Sequence, residues 1–286
     1  AICDIDPKAI DIALKMVSDK GRPAPAVYGK TEKDFENLAK RTDIDGVVIA
    51  TPWEWHVPMA LEVMKQGKYA GVEVSATVTL KESWDLVNMY EKTGSHCMIL
   101  ENVCYRRDVL ATLNMVRQGM FGTLNHVQCG YQHDLREVKF NDGKQAYGGG
   151  VEFGEKGFSE AKWRTQHSVD RNGDLYPTHG LGPICQLLNI NRGDQMDYLT
   201  SLSSNDFQMQ KKAQELAAQD SFWNGYAAKT YRGNMNTTVV KTKLGKSIVI
   251  QHDVTSPRPY SRLHVVSGTE GYAQKYPEQK VAKGHS

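Results

Sequence analysis

A chain of 286 residues is long enough for two domains or one large one. Its 40% hydrophobic and 24% charged content is ordinary for a globular protein. A net charge of +2 gives no basis for nucleic acid or an anionic membrane as partner. No run of about 18 apolar residues offers a transmembrane helix, and five scattered cysteines without a CxxC pair read as buried thiols rather than a disulfide framework.

The opening "AICDIDPKAIDIALKMV" is an apolar strand that ends in an acid and runs into a helix. That reads as the second strand of a nucleotide-binding βαβ unit. The first strand and its G-x-G-x-x-G turn are then expected about 20 residues upstream, outside this sequence, as is any export signal. Residues 7–19 form a helix with Pro7 in its first turn and Ile10, Ala13, Leu14 and Val17 on one stripe. "PAVYG" is a short strand. A second helix is expected over 31–43, with Thr31 as N-cap and Asp34 three residues later. "DGVVIAT" is a continuous apolar run of strand length, typical of a buried parallel strand. A helix over 55–68 ends near Gly67. A strand over 69–75, a helix over 80–94 and a strand over 96–103 follow. This alternation predicts a doubly wound parallel sheet in an α/β domain over 1–104.

From about residue 105 the pattern changes. A helix is expected over 106–122 and a long strand over 123–134. Residues 136–174 are Gly-rich, polar and aromatic, too long for an idle connection, and read as a functional loop. A helix over 178–190 is followed by strands over 197–206, 237–256 and 261–274. The middle one is a hairpin turning at Leu244-Gly245-Lys246. This predicts a second, α+β domain over 105–286 with a large, mostly antiparallel sheet.

Candidate site residues sit where open α/β sheets bind ligands, at the carboxyl ends of strands. Asp4 either accepts hydrogen bonds from an adenosine ribose or is a turn acid; Asp6 is better suited to a helix cap. Thr51 ends a buried strand, and Trp53, Glu54, Trp55 and His56 follow it; the two tryptophans are core anchors or cofactor contacts. Glu73 ends the next strand, where a buried acid needs a partner. Glu101 and Asn102 end the one after. Three successive strand ends thus give polar groups to one rim, a pattern that fits a dinucleotide. In the second half, "DLYPTHGLGP" gathers Asp174, Tyr176 and His179 before a helix. Thr178 can cap it, and Gly180 and Gly182 allow close backbone approach. His179 can exchange a proton near neutral pH, or simply pack at a helix start. Tyr131, His133 and Arg164 feed the same region. No H-x-E-x-x-H or similar spacing supports a metal.

The stretches "TPWEWHVPMALEVMKQGK", "EVSA", "MILENVCYRRDVLATLNMVRQGMFG", "HVQCGYQHDLREVKFN", "YPTHGLGPICQLLNINRGD" and "SPRPYSR" resemble glycoside hydrolase family 109. These are NAD-dependent α-N-acetylgalactosaminidases within the glucose–fructose oxidoreductase and inositol dehydrogenase superfamily. The resemblance spans nearly the whole chain. Dehydrogenase relatives have Glu-Lys where this chain and the family have Glu73-Val74, which implies NAD use without net redox turnover. The implied cycle oxidises C3 of the sugar with NAD⁺, removes the acidified C2 proton, and expels the aglycone from C1. It then adds water and returns the hydride to C3, with retention, one of the exceptions to the two-carboxylate scheme. The resemblance places NAD on Asp4, Thr51, Trp53, Glu54, Trp55, His56, Glu73, Val74 and Asn102. It places the sugar on Glu101, Tyr131, Arg164, Tyr176, Pro177, Thr178, His179 and Tyr260, with His179 and Tyr176 as the proton-transferring pair. The substrate implied is a glycan ending in α-N-acetylgalactosamine. Relatives imply periplasmic or secreted location and a homodimer paired through the second domain's sheet. The family also continues beyond the last residue here with further sheet and helix. A sugar dehydrogenase and a non-catalytic sugar- or nucleotide-binding protein are the rival readings.

Overall fold

The computed structural model describes residues 1–142 and 160–284, in two compact units: Ala1–Leu100 with Asn141–Arg164, and Glu101–Phe140 with Thr165–Ser286. In the first, β1 (Ile2–Cys3) runs into α1 (Pro7–Asp19) and on to a parallel partner, β2 (Val27–Tyr28). Asp6 caps α1 by accepting the Lys8 amide. After α2 (Phe35–Ala39), three parallel strands lie side by side: β3 (Gly46–Ile49), β4 (Tyr69–Val72) and β5 (Cys97–Ile99). They are joined by α3 (Trp53–Lys65) and α4 (Leu80–Thr93). Ile49, Ala60, Val63, Met64, Ala70 and Val72 form the core between strands and helices; β4 is buried from Ala70 to Val72, whereas β3, expected as a buried strand, leaves Gly46 and Val48 exposed. Among the described residues, β1 and β3 each keep one edge without a strand partner.

Two readings are corrected here. The helix expected over 31–43 forms only at Phe35–Ala39. Asp34, not Thr31, organises the turn: it accepts the Gly29 and Lys30 amides and the Asn37 side chain. The strand expected over 96–103 ends at Ile99, because the Glu101 carboxylate accepts the Val103 amide (2.9 Å) and starts a 3₁₀ turn at Asn102–Tyr105.

In the second unit, α5 (Arg107–Arg117) stops near Gly119, whose φ of 73° no helix adopts, short of the expected 122. Then come β6 (Leu124–Gln132), α6 (Arg136–Lys139), α7 (Glu160–Asp170, whose first residues fall in the other unit), α8 (Thr178–Leu187) and β7 (Met196–Ser203). They are followed by α9 (Met209–Ala217), α10 (Asn224–Ala227), β8 (Asn236–Thr242), β9 (Ser247–Asp253), β10 (His264–Gly268), β11 (Gly271–Gln274) and β12 (Lys280–Lys283). The strands make one seven-stranded sheet, β12-β11-β10-β6-β9-β8-β7. It is antiparallel throughout except for the β6–β9 pair. Val127, Cys129, Val240, Ile248, Ile250 and Val266 face a core with Leu113, Ile184, Leu187 and Phe121. The loop expected over 136–174 contains α6 and α7, and its "YGGG" lies outside the described residues. Thr178 is the first helical residue of α8 rather than its cap; Pro177 precedes it and offers no capping side chain. All five thiols are free. Among the described residues no helix is long and apolar enough to cross a membrane.

The β8–β9 hairpin turns where expected and is clamped by buried Asp194. That carboxylate accepts the Gln195 and Leu244 amides and the Thr242 hydroxyl, with the Lys246 ammonium 3.1 Å away. Burial pushes its pKa up, but these hydrogen bonds outweigh burial and hold it at about 2. A depressed folded-state value contributes stability that is present above the unfolded carboxylate range and lost as pH falls toward that value. Acid unfolding of the Asp194→Asn variant should therefore be less steep below about pH 4 than that of the wild type, followed by circular dichroism.

Candidate active site

The site in the second unit begins with two glycines of α8. A Cβ on Gly180 would lie 2.7 Å from the Gly130 amide nitrogen and 3.0 Å from Cys129 Cβ, so α8 rests directly on the β6 backbone. A Cβ on Gly182 would meet Glu101 Cγ at 2.9 Å and Cys104 Sγ at 3.2 Å, so the same helix also rests on the Glu101 turn. Just before Gly180, His179 meets Glu101. Its Nδ1–H donates to the carboxylate, 2.8 Å to Oε1 and 3.1 Å to Oε2. Both side chains are buried.

Burial pushes the Glu101 carboxyl up, yet the hydrogen bond and charge of His179 and the Val103 amide outweigh it and hold the group below the usual range. A carboxylate fixed on Nδ1 sets the tautomer and leaves Nε2 as the nitrogen that exchanges a proton. Tyr176 and His179 meet edge to face at 4.7 Å, and Tyr131 lies 5.0 Å from His179, 5.5 Å from Tyr176 and 6.5 Å from Tyr260. Half-exposed Tyr260 packs on His133 at 4.9 Å. Burial lowers the His133 pKa; Asp134 pulls it up and Arg262 down, and the net shift is downward, which favours the neutral ring.

Tyr131, Tyr176, His179, Tyr260 and Glu101 thus come together, with Pro177 and Thr178 in the turn that carries them. Asn102 is exposed, in the 3₁₀ turn beside Glu101 rather than at a strand end. Arg164 belongs to the first unit, where its guanidinium lies 5.1 Å from the Trp53 ring. Two residues at the cluster were not singled out in the sequence. Arg262 lies 5.5 Å from each of the Tyr131 and Tyr260 rings. His252 sits opposite Tyr131 in the β6–β9 register. The available signal was alternation: His252 shares its inward face with Ile248 and Ile250, where a polar residue is out of place.

In the first unit, Thr51 and the Glu73–Ser75 segment are tied together by His56. Its Nε2 lies 2.7 Å from the Thr51 carbonyl oxygen and its Nδ1 2.7 Å from that of Ser75. Trp53 is buried and meets Trp163 edge to face at 5.4 Å. Trp55 packs edge-on to Phe35 at 6.2 Å, and Glu54 is exposed in the first turn of α3. Val74 is buried. Glu73 is only half-buried rather than enclosed, its carboxylate 3.4 Å from the Val74 amide. Asp4, at the end of β1, accepts the Asp6 amide on one oxygen (2.9 Å).

A family model described as glycosyl hydrolase 109, C-terminal domain, matches residues 105–286. A glycosyl hydrolase family 109 protein of Parabacteroides distasonis is 49% identical over 95% of this chain and 59% of its own length. An alpha-N-acetylgalactosaminidase of Tannerella forsythia is 48% identical over 95% of this chain and 58% of its own. The chain therefore spans under three fifths of the length of these curated relatives. An NAD binding oxidoreductase from Klebsiella pneumoniae shares the fold, with a TM-score of 0.68 at 16% identity, over 99% of this chain and 66% of that one. The extent of the sequence match, 95% of the chain at 49% identity together with a family model over residues 105–286, decides the family: the chain belongs to glycosyl hydrolase family 109.

Proposed function

We propose that the protein is a glycoside hydrolase that removes terminal α-linked N-acetylgalactosamine, with NAD as a resident cofactor and no net redox turnover. The observation that carries this reading is the buried Glu101–His179 pair beside Tyr131 and Tyr176. Glu101 holds the Nδ1 proton, so Nε2 of His179 can take the proton of the sugar's O3 hydroxyl and give it back. Tyr176, beside it, is assigned to the proton on C2 in this reading. The rings of Tyr131 and Tyr260 offer apolar faces to a sugar.

The residues of the first unit fit a dinucleotide. Asp4 has one oxygen engaged by the Asp6 amide and keeps acceptor capacity on the other, which suits a ribose diol. Thr51, Trp53 to His56, Glu73 and Val74 lie at or just past the carboxyl ends of β3 and β4. When bound, NAD supplies a hydride acceptor for C3 and returns the hydride at the end of the cycle. Val74 in place of a lysine supports an elimination cycle over a simple dehydrogenase.

The test is turnover of p-nitrophenyl α-N-acetylgalactosaminide by the full-length protein in D₂O. Nitrophenol release, deuterium at C2 of the product and no accumulating NADH are expected. Accumulating NADH without nitrophenol would identify a sugar dehydrogenase, the reading favoured by the oxidoreductase fold. Bound NAD with neither signal would identify a binding protein.

A further inference from the structure

A second carboxyl–imidazole pair lies in the same unit. β9 points His252 inward, and the turn leading into α8 brings Asp174 to it, with Oδ1 3.9 Å from Nδ1 and side chains only 10% and 4% exposed. The same Asp174 oxygen accepts the Tyr176 amide at 3.0 Å, so one turn fixes both the carboxyl and the tyrosine. The His252 ring lies 6.4 Å from Tyr131, which in turn lies 5.5 Å from Tyr176. The groups that face the pair are Cys129 and Tyr131 on β6, Asn236 across from His252 on β8, and Tyr176 with His179 beside it.

We propose that Asp174 and His252 form a second proton-holding pair of this site, distinct from Glu101–His179, whose charge sets how readily Tyr131 and Tyr176 ionise. The proposal rests on the glycosidase reading above. The pair does not need to touch the sugar; both members are positioning residues. With Asp174 ionised and His252 neutral the pair carries one negative charge, and a tyrosinate beside it is costly. One added proton, on either member, brings it to zero and removes that cost. A carboxyl built only to lock an ion pair would be held low. Here burial pushes Asp174 up to about 7, and the Tyr176 amide pulls only partly against it. A group with that behaviour beside the proposed proton-transferring side chains changes charge where the enzyme works. The proposed cycle borrows two protons from the sugar, from O3 and from C2, and His179 can hold only one of them.

Two measurements on the full-length protein test this. The first is a carboxyl ¹³C titration of aspartate-labelled protein, assigned with Asp174→Asn. One aspartate signal should titrate near the value of about 7 expected for Asp174 and vanish in the variant. Titration of that signal below about pH 5, in the ordinary carboxylate range, would overturn the proposal whatever the enzyme's activity. The second is the pH profile of kcat. Asp174→Asn should show one inflection fewer than the wild type with KM little changed, whereas His252→Gln should keep that inflection at a shifted pH. A uniform fall in kcat across pH, with the inflections unmoved, would mark a purely structural pair and sink the idea. Absence of any glycosidase turnover in the wild type would count against the proposed function instead, and the titration would still decide the pair.

Discussion

Replacing Glu101 by glutamine is expected to lower kcat on the order of 10³-fold to 10⁴-fold, with KM changed by a small factor. The carboxylate now takes the Nδ1 proton of His179 at 2.8 Å and 3.1 Å, so Nε2 is the basic nitrogen. A glutamine can turn its amide N–H toward Nδ1. The imidazole then carries its proton on Nε2 and cannot accept one there. The substitution keeps a carbonyl oxygen for the Val103 amide, so the 3₁₀ turn it starts should survive. Thermal melting should therefore move little while turnover collapses. A kcat within tenfold of the wild type would mean that His179 Nε2 does not receive the sugar proton.

Gly180→Ala is expected to destabilise the protein by about 1–3 kcal/mol, although alanine is the better helix former. The new methyl would sit 2.7 Å from the Gly130 amide nitrogen and 3.0 Å from Cys129 Cβ. The first of these is backbone within a paired strand and cannot swing away. The roughly 1 kcal/mol gained from helix propensity does not offset that contact. If α8 instead slides off β6 to relieve it, His179 moves away from Tyr131 and Glu101, and kcat falls with stability. Gly225→Ala is the matched control: it lies in α10 with nothing within 4 Å of its Cβ, and should be neutral or stabilising. Denaturant melts of both variants decide the point. Equal stability for the two would show that the Gly180 contact is slack.

The parallel half was legible as apolar runs alternating with helices, although β3 is not buried on both faces: Gly46 and Val48 are exposed. "GVVI" and "YAGV" are apolar at every position, and each is followed by a helix. The second half was legible as strands but not as an order. β6 and β9 pair in parallel across a separation that no local turn signal marks. Helix α9 and strand β12 were not read at all: α9 is polar between its buried Met209 and Ala213, and β12 is short and mostly exposed. Asp34 misled because its carboxylate looked like part of a helix start, when it closes the turn after β2. At the site, His179, Tyr176 and Tyr131 stood out by type and by motif. Pairing Glu101 with His179 joins positions 78 residues apart, and nothing in the intervening sequence announces it. His252 was hidden inside an ordinary strand pattern.

The position of β6 bears on how the protein reaches this structure. Both of its sheet neighbours, β9 and β10, come late in the chain; the His126 side chain, for example, meets that of Ser247, 121 residues further on. During synthesis β6 must wait with two open edges until those strands have been made. Helix α8 is the earlier shelter for its apolar face, settling on Cys129 and Gly130 before the sheet can close. The strand that carries Tyr131 is thus completed by the least local pairings of the sheet. Interrupting the chain between β6 and β9 leaves an adhesive strand where the site would have been.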